Sequence, residues 1–131
     1  MNNPRFDTDA ASDALSAMAE AIVQGCVDEE LEWDALTVVV NLHRQQSMFG
    51  YRYADDGNWS PDVRLSMQVL DRAIDLRTTM TTPDGKGWKV CLIQIRRSDM
   101  SVQVEFEYKN AKRWRVTPVN LESMVEELRP C

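Results

Sequence analysis

The chain has 131 residues, 44% of them hydrophobic, and a formal net charge of −6. This length predicts one domain (residues 1–131), and the hydrophobic fraction allows a packed core, which excludes disordered and fibrous proteins. No apolar run approaches the roughly 18 residues that span a bilayer, and residues 1–12 lack the apolar segment of a signal peptide. We therefore expect a soluble, cytoplasmic protein.

The charge is divided unevenly along the chain. Residues 1–62 contain twelve acids and three bases, whereas residues 63–131 contain nine acids and twelve bases. A negative surface repels nucleic acid and anionic membranes and attracts basic surfaces. The partner expected from this pattern is a basic protein, with neither nucleic acid nor membrane. The alternative is that the acids serve only solubility.

The first half of the chain predicts one helix and two strands. A helix over residues 9–27 is indicated by apolar residues spaced three and four apart. An acidic segment at residues 28–34 follows, too densely charged to be buried. Residues 35–43 and 47–53 have the β-branched and alternating patterns of strands, and the second strand places three aromatic rings on one side. These rings are Phe49, Tyr51 and Tyr53.

The second half begins with a turn signal at residues 55–58. Ser60 is the predicted N-cap of a second helix with Pro61 at its first position, and its apolar stripe consists of Val63, Met67, Leu70 and Ile74. A turn at residues 83–87 precedes strands at residues 88–97 and 101–108. Residues 113–116 predict a further short strand. Asn120 is the predicted cap of a last helix with a stripe of Leu121, Met124, Val125 and Leu128.

This order of elements predicts an α+β fold. Paired strands joined by tight turns favour an antiparallel sheet of four to five strands with helices packed on one face. In the fourth strand, polar and apolar residues alternate, which indicates that the other sheet face meets water.

Few residues have the chemistry of a catalytic or metal site. His43 is the chain's single histidine, and no nucleophile or orienting group is marked beside it. Gly85-Lys86-Gly87 is too short for a phosphate loop, and the spacings of a zinc site are missing. Glu105 and Glu107 share a solvated strand face, where a carboxyl group does not acquire the raised pKa of a general acid. We expect no enzyme, no catalytic residue, no cofactor and no metal; a small hydrolase or isomerase is the minor alternative.

The three cysteines are far apart in sequence, which does not fit a disulfide framework. Cys26 and Cys91 lie on apolar faces and are predicted to be core residues. Cys131 is predicted to be an exposed free thiol.

The candidate partner-binding residues are all acidic. They form one patch in the segment 28–34, a second at the turn 55–56, and a third on the fourth strand. The set comprises Asp28, Glu29, Glu30, Glu32, Asp34, Asp55, Asp56, Glu105 and Glu107. Such patches can steer a basic partner and occupy a site that normally grips phosphates.

The C-terminal third resembles the YezG-like immunity protein family. The resemblance is carried by Glu-Phe-Glu-Tyr at residues 105–108, Arg-Trp-Arg-Val-Thr-Pro at 113–118, Asn-Leu at 120–121 and Glu-Glu-Leu-Arg-Pro at 126–130, with Phe-Gly-Tyr-Arg-Tyr at 49–53 earlier in the chain. The resemblance implies a cytoplasmic antitoxin that protects a bacterium from a toxin, often a nuclease. It also implies that Tyr108, Arg113, Trp114, Thr117 and Pro118 hold the fold. Tyr108 and Trp114 would pack the strand end against the last helix, and Pro118 would set the turn into that helix.

Two functions are therefore weighed. The first is an immunity protein that neutralises a secreted toxin by covering its active or substrate-binding site with the acidic half. The second is a chaperone of the type III secretion kind, which would dimerise and hold an unfolded effector segment in an apolar groove.

Overall fold

The computed structural model describes residues 8–81 and 85–130. The predicted turn at residues 83–87 lies partly outside these ranges, and Cys131 lies entirely outside them. Within them the chain forms, in order, α1 (Thr8–Asp28), β1 (Ala35–Asn41), β2 (Ser47–Tyr53), β3 (Trp59–Ser60), α2 (Met67–Met80), β4 (Val90–Arg96), β5 (Ser101–Glu107) and α3 (Leu121–Glu127).

The strands form one antiparallel sheet in the order β3-β2-β1-β4-β5, which confirms the predicted α+β class. β1 lies at the centre, where Val38 pairs with Gly50 on one side and Ile93 on the other. Gly50 is required there, because a Cβ atom would lie 2.6 Å from the carbonyl oxygen of Thr37.

The fifth strand is β3 and not the predicted strand at residues 113–116, which was wrong. That segment forms turns, in which the N–H of Arg113 donates to Asn110 O at 3.2 Å and the N–H of Arg115 donates to Lys112 O at 3.1 Å. The turns direct the Trp114 side chain onto the face of the sheet, so the segment does not extend the edge.

Two helices pack on one face of the sheet. α1 and α2 cover the even-numbered side chains of β1 and the odd-numbered side chains of β4. Gly25 lets the end of α1 approach the chain before α2, since a Cβ atom would lie 2.5 Å from Arg64 O. Cys26 and Cys91 are fully buried in this core, as predicted.

The second face is not open, which corrects the prediction. α3 and Trp114 cover part of it, packing against Val39 and Leu92. The helix is also bonded to the sheet: Thr37 Oγ1 donates to Leu128 O at 2.6 Å, and Tyr53 Oη donates to Val125 O at 2.7 Å. The continuous apolar runs of β1 and β4 are the sequence signal of burial on both faces.

α2 begins six residues later than predicted. Ser60 belongs to β3 and caps no helix, and Ser66 precedes the first helical residue. Met67, assigned to the apolar stripe, is 67% exposed. The buried side of α2 consists of Val69, Ala73, Leu76 and Met80.

A distant arginine explains this difference. Arg52 of β2 donates from Nε to Asp62 O at 2.5 Å and from Nη2 to Ser60 Oγ at 3.3 Å. These bonds hold residues 60–62 in an extended path along β2. A non-local contact thus overrides a local sequence pattern that favours a helix start.

Candidate interaction surface

Two acidic patches that are far apart in sequence meet in the fold. The segment 28–34 enters β1 and the turn 55–56 leaves β2, and the antiparallel register pairs Ala35 with Tyr53. Both patches therefore lie at the same end of the sheet. They line a groove of about 580 Å³, here called the acidic groove, formed by Cys26, Val27, Glu30, Leu31, Glu32, Trp33, Asp34, Ala54, Asp55, Asp56 and Arg97.

The groove has a fixed backbone. The N–H of Asp34 donates to Tyr53 O at 2.8 Å, and the N–H of Asp55 donates to Asp34 Oδ2 at 2.6 Å. Trp33 is only 6% exposed and anchors the segment in the core. The guanidinium of Arg97 lies 5.7 Å from the centre of the Trp33 ring and donates to Trp33 O at 3.3 Å. The acids are thus presented from a surface that is ordered by bonds between its two segments.

Asp28 and Glu29 lie beside the groove and do not line it. Asp28 accepts a hydrogen bond from Gln24 Nε2 at 2.8 Å, and Glu29 forms an ion pair with Arg64 at 3.3 Å. Both contacts are exposed, so each contributes little to stability and either acid can be recruited by a partner.

Glu105 and Glu107 share one face of a strand, as predicted, but they lie apart from the other candidate acids. They lie on β5, at the far edge of the sheet from β3, on the face that α3 partly covers. Arg113 pairs with both of them, at 3.2 Å and 3.4 Å. The backbone N–H groups of Lys109 and Asn110 also donate to Glu107, and these bonds together with Arg113 hold its pKa below the usual value. This pair fixes the turn that follows β5 and is not part of the acidic groove.

Among the residues that carry the family resemblance, some pack in the core or bond a turn and one is exposed. Trp114 is buried and packs with Met124 and Val125 of α3 and with Leu128 just after it, and Arg113 lies over its ring at 4.5 Å. The side chain of Asn120 bonds the turn before α3, where its Oδ1 accepts from the N–H of Thr117 at 2.6 Å and no side-chain bond caps the helix. Tyr108 is 41% exposed, so the prediction that it packs against the last helix was wrong.

Glu30, one of the candidate acids, has a backbone conformation that the sequence did not indicate. It has a φ of 54°, in the left-handed region that favours glycine. The N–H of Glu30 donates to Val27 O and the N–H of Leu31 donates to Cys26 O, the bonding pattern that ends a helix with a left-handed residue. Three consecutive acids, Asp28 to Glu30, also lie at the negative end of the α1 dipole, where cations are favoured. At the end of α1, the left-handed backbone of Glu30 and the negative charge of its side chain are thus both unfavourable in the isolated protein.

We expect Glu30→Gly to raise the free energy of unfolding by about 1 kcal/mol, because glycine adopts the left-handed conformation without strain and the substitution removes an acid from the helix end. Urea denaturation measures the change. Glu20→Gly, in the exposed middle of α1, is the control and should lower stability by about 1 kcal/mol. A loss of stability in the Glu30 variant would contradict this description of the helix end.

The sequence matches no protein-family model and no curated protein. Within the described residues, no group of three or more histidine, cysteine, aspartate or glutamate side chains is arranged to hold a metal ion. None of the helices in that part of the chain is both long and apolar enough to cross a membrane.

Proposed function

We propose that this chain is a cytoplasmic immunity protein of the YezG-like kind, which binds and neutralises a basic toxin domain without catalysing a reaction. The observation that carries the proposal is the convergence of the two acidic segments in the acidic groove. The resemblance in residues 105–130 supports the same function, since the family protects bacteria from toxins that are often nucleases.

The acidic groove suits a basic, phosphate-binding partner. A nuclease grips its substrate with cations, and carboxylates on a rigid frame can occupy the same cations and exclude the nucleic acid. Opposite charges also raise the association rate, which matters for a protein that must act before the toxin does. An exposed ion pair contributes only about 0–1 kcal/mol, so the proposal requires several acids to act together. Glu30, Glu32 and Asp55 are the exposed acids that we assign to this task.

A second candidate, the secretion chaperone, is favoured by a different surface. An apolar groove of about 530 Å³ runs beside β2 and is lined by Met48, Phe49, Gly50, Tyr51, Pro61, Val63, Leu65 and Val116. A chaperone would use such a groove to hold an extended segment. Light scattering separates the two functions: an obligate dimer that retains an extended peptide indicates a chaperone, and a monomer that binds a folded domain indicates an immunity protein.

The direct test uses the protein encoded beside this chain. Its C-terminal domain is expressed in a test bacterium alone and together with this chain, and the growth of the culture is recorded. We expect the domain to arrest growth and this chain to restore it. A neighbour that is harmless, or that kills equally in the presence of this chain, would overturn the proposed function.

Charge reversal locates the binding surface. We expect the triple variant Glu30→Lys, Glu32→Lys, Asp55→Lys to bind the toxin domain roughly tenfold more weakly at low salt, with a smaller dependence on ionic strength. The control reverses Asp13, Glu20 and Asp71, exposed acids on α1 and α2, and has the same net charge. Equal weakening in both variants would indicate a general charge effect in place of a defined surface.

A further inference from the structure

A cleft of opposite charge lies at the other end of the sheet. The cleft lies where β1 ends, where β2 and β4 begin, and where the loop after β5 starts. The length of β1, seven residues or roughly 20 Å, separates it from the acidic groove. Its volume is about 700 Å³. The cations that line this basic cleft are Arg44, Lys89, Lys109, Lys112 and Arg115, together with the imidazole of His43.

Most of these cations have no acidic partner. Among the residues that the structure describes, no ion pair involves Arg44, Lys109, Lys112 or Arg115. None of the described residues that line the cleft carries a carboxylate. The charge of Glu107, which precedes the loop, is already engaged by Arg113 and by two backbone N–H groups. The basic cleft therefore holds an uncompensated positive charge in a protein whose net charge is negative.

The pKa of the His43 imidazole is sensitive to this positive charge. Desolvation lowers the pKa of His43, and the charges of Lys89, Arg44 and Arg77 lower it further. His43 lies in the β1–β2 connection, where its backbone N–H donates to Asn41 Oδ1 at 2.8 Å. As the chain's single histidine, it is also a spectroscopic probe that requires no labelling of the cleft.

The floor of the cleft is apolar and aromatic. Val39, Val90 and Val116 line it, and the half-buried ring of Phe49 is exposed toward it. Trp114 also lines the cleft, and the guanidinium of Arg113 lies 4.5 Å from the centre of its ring. Side-chain amides that can donate and accept complete the wall: Asn41, Gln45, Gln46 and Asn110.

We propose that the basic cleft binds a nucleotide, with the phosphate among the cations and the base against Phe49. Cations around an aromatic platform are the combination that binds nucleic acid units without sequence readout. The volume fits one small ligand, and the net charge of −6 opposes a long polyanion. An acidic peptide would use the cations but would leave the aromatic floor and the amides without a role. The nucleotide can be free or can be the end of a single strand.

The test titrates the full chain with adenosine monophosphate and follows the imidazole protons of His43 by NMR. We expect a saturable shift at millimolar concentrations and a rise in the pKa of His43, since an anion stabilises the imidazolium. Arg44→Gln and Arg115→Gln should each weaken binding roughly fivefold, because each removes an exposed charge from the phosphate site. Arg72→Gln, on the surface of α2, is the matched control and should change nothing.

Further ligands decide the chemistry. Adenosine and inorganic phosphate should each bind more weakly than adenosine monophosphate, and Phe49→Leu should weaken the nucleotide more than phosphate. A single-stranded oligonucleotide that binds more tightly than the mononucleotide would support the site and identify its source as a strand end. Tighter binding of a glutamate-rich peptide, or no saturable shift with adenosine monophosphate, would overturn the proposal. The triple variant of the acidic groove should leave this titration unchanged, which separates the two proposals.

Discussion

Replacing Trp88 with alanine is expected to lower the free energy of unfolding by about 3–5 kcal/mol. Trp88 is fully buried and is the largest such side chain among the described residues. It fills the space between the sheet and α1 and α2, with its ring centre 5.7 Å from that of Phe106. A domain of this size is stable by about 5–15 kcal/mol, so the variant should be partly unfolded near physiological temperature. Urea denaturation followed by circular dichroism gives the value.

Trp88→Phe is the matched control. No described residue accepts a hydrogen bond from the Trp88 indole N–H, although that atom is buried. The phenylalanine variant therefore loses packing but no hydrogen bond, and we expect it to cost less than about 2 kcal/mol. If the phenylalanine variant is as unstable as the alanine variant, the indole N–H has a partner that matters for stability.

The four long strands, β1, β2, β4 and β5, and the last helix could be predicted because their signals are local. β1 and β4 are dense in β-branched and aliphatic residues. The apolar stripe of α3 and its C-cap is buried at Met124, Val125 and Leu128. The same apolar runs are also a signal of burial on both faces. The alternation in β5 led instead to the prediction that one face meets water. β5 is an edge strand, and its polar side reflects its position in the sheet and not the exposure of the whole face.

The start of α2 and the ion pairs of Glu105 and Glu107 could not be predicted, because each depends on one arginine from another segment of the chain. Arg52 holds residues 60–62 extended, which a helix-start pattern of Ser, Pro and Asp cannot reveal. Arg113 pairs with both glutamates only after the turns at residues 110–115 direct it back over β5.

The acids of the acidic groove could be predicted from the sequence, but their convergence could not. The sequence located the acids at residues 28–34 and 55–56, but only the register of β1 with β2 brings the two patches together. The basic cleft was not anticipated at all, since its cations come from three separate connections. The first half of the chain is acidic and the second half is basic. The sheet places several of these acids and bases at opposite ends, in the acidic groove and the basic cleft.

Stability is expected to fall steeply above pH 9, because two buried acids keep their protons in the folded state. Burial raises the pKa of the Cys91 thiol from 9.0 to about 12 and that of the Tyr53 phenol from 10.0 to about 12. Above pH 9 the unfolded chain releases protons that the folded chain retains, so the folded state binds more protons and stability decreases as the pH rises. Each group contributes about 1.4 kcal/mol per pH unit between its two pKa values. The loss reaches about 4 kcal/mol for Cys91 and about 3 kcal/mol for Tyr53 near pH 12.

Burial also raises the pKa values of Cys26 and Tyr51, which adds to the loss with the same sign. The measurement is the urea midpoint between pH 7 and pH 11 for the unmodified chain and for Cys91→Ala and Tyr53→Phe. Each variant should be less stable at pH 7, through lost packing or the lost bond to Val125 O, and should show a shallower decline with pH. Tyr108→Phe, which removes an exposed phenol, should leave the decline unchanged. A parallel decline in all four proteins would show that neither buried group retains its proton, and that the chain unfolds in alkali for another reason.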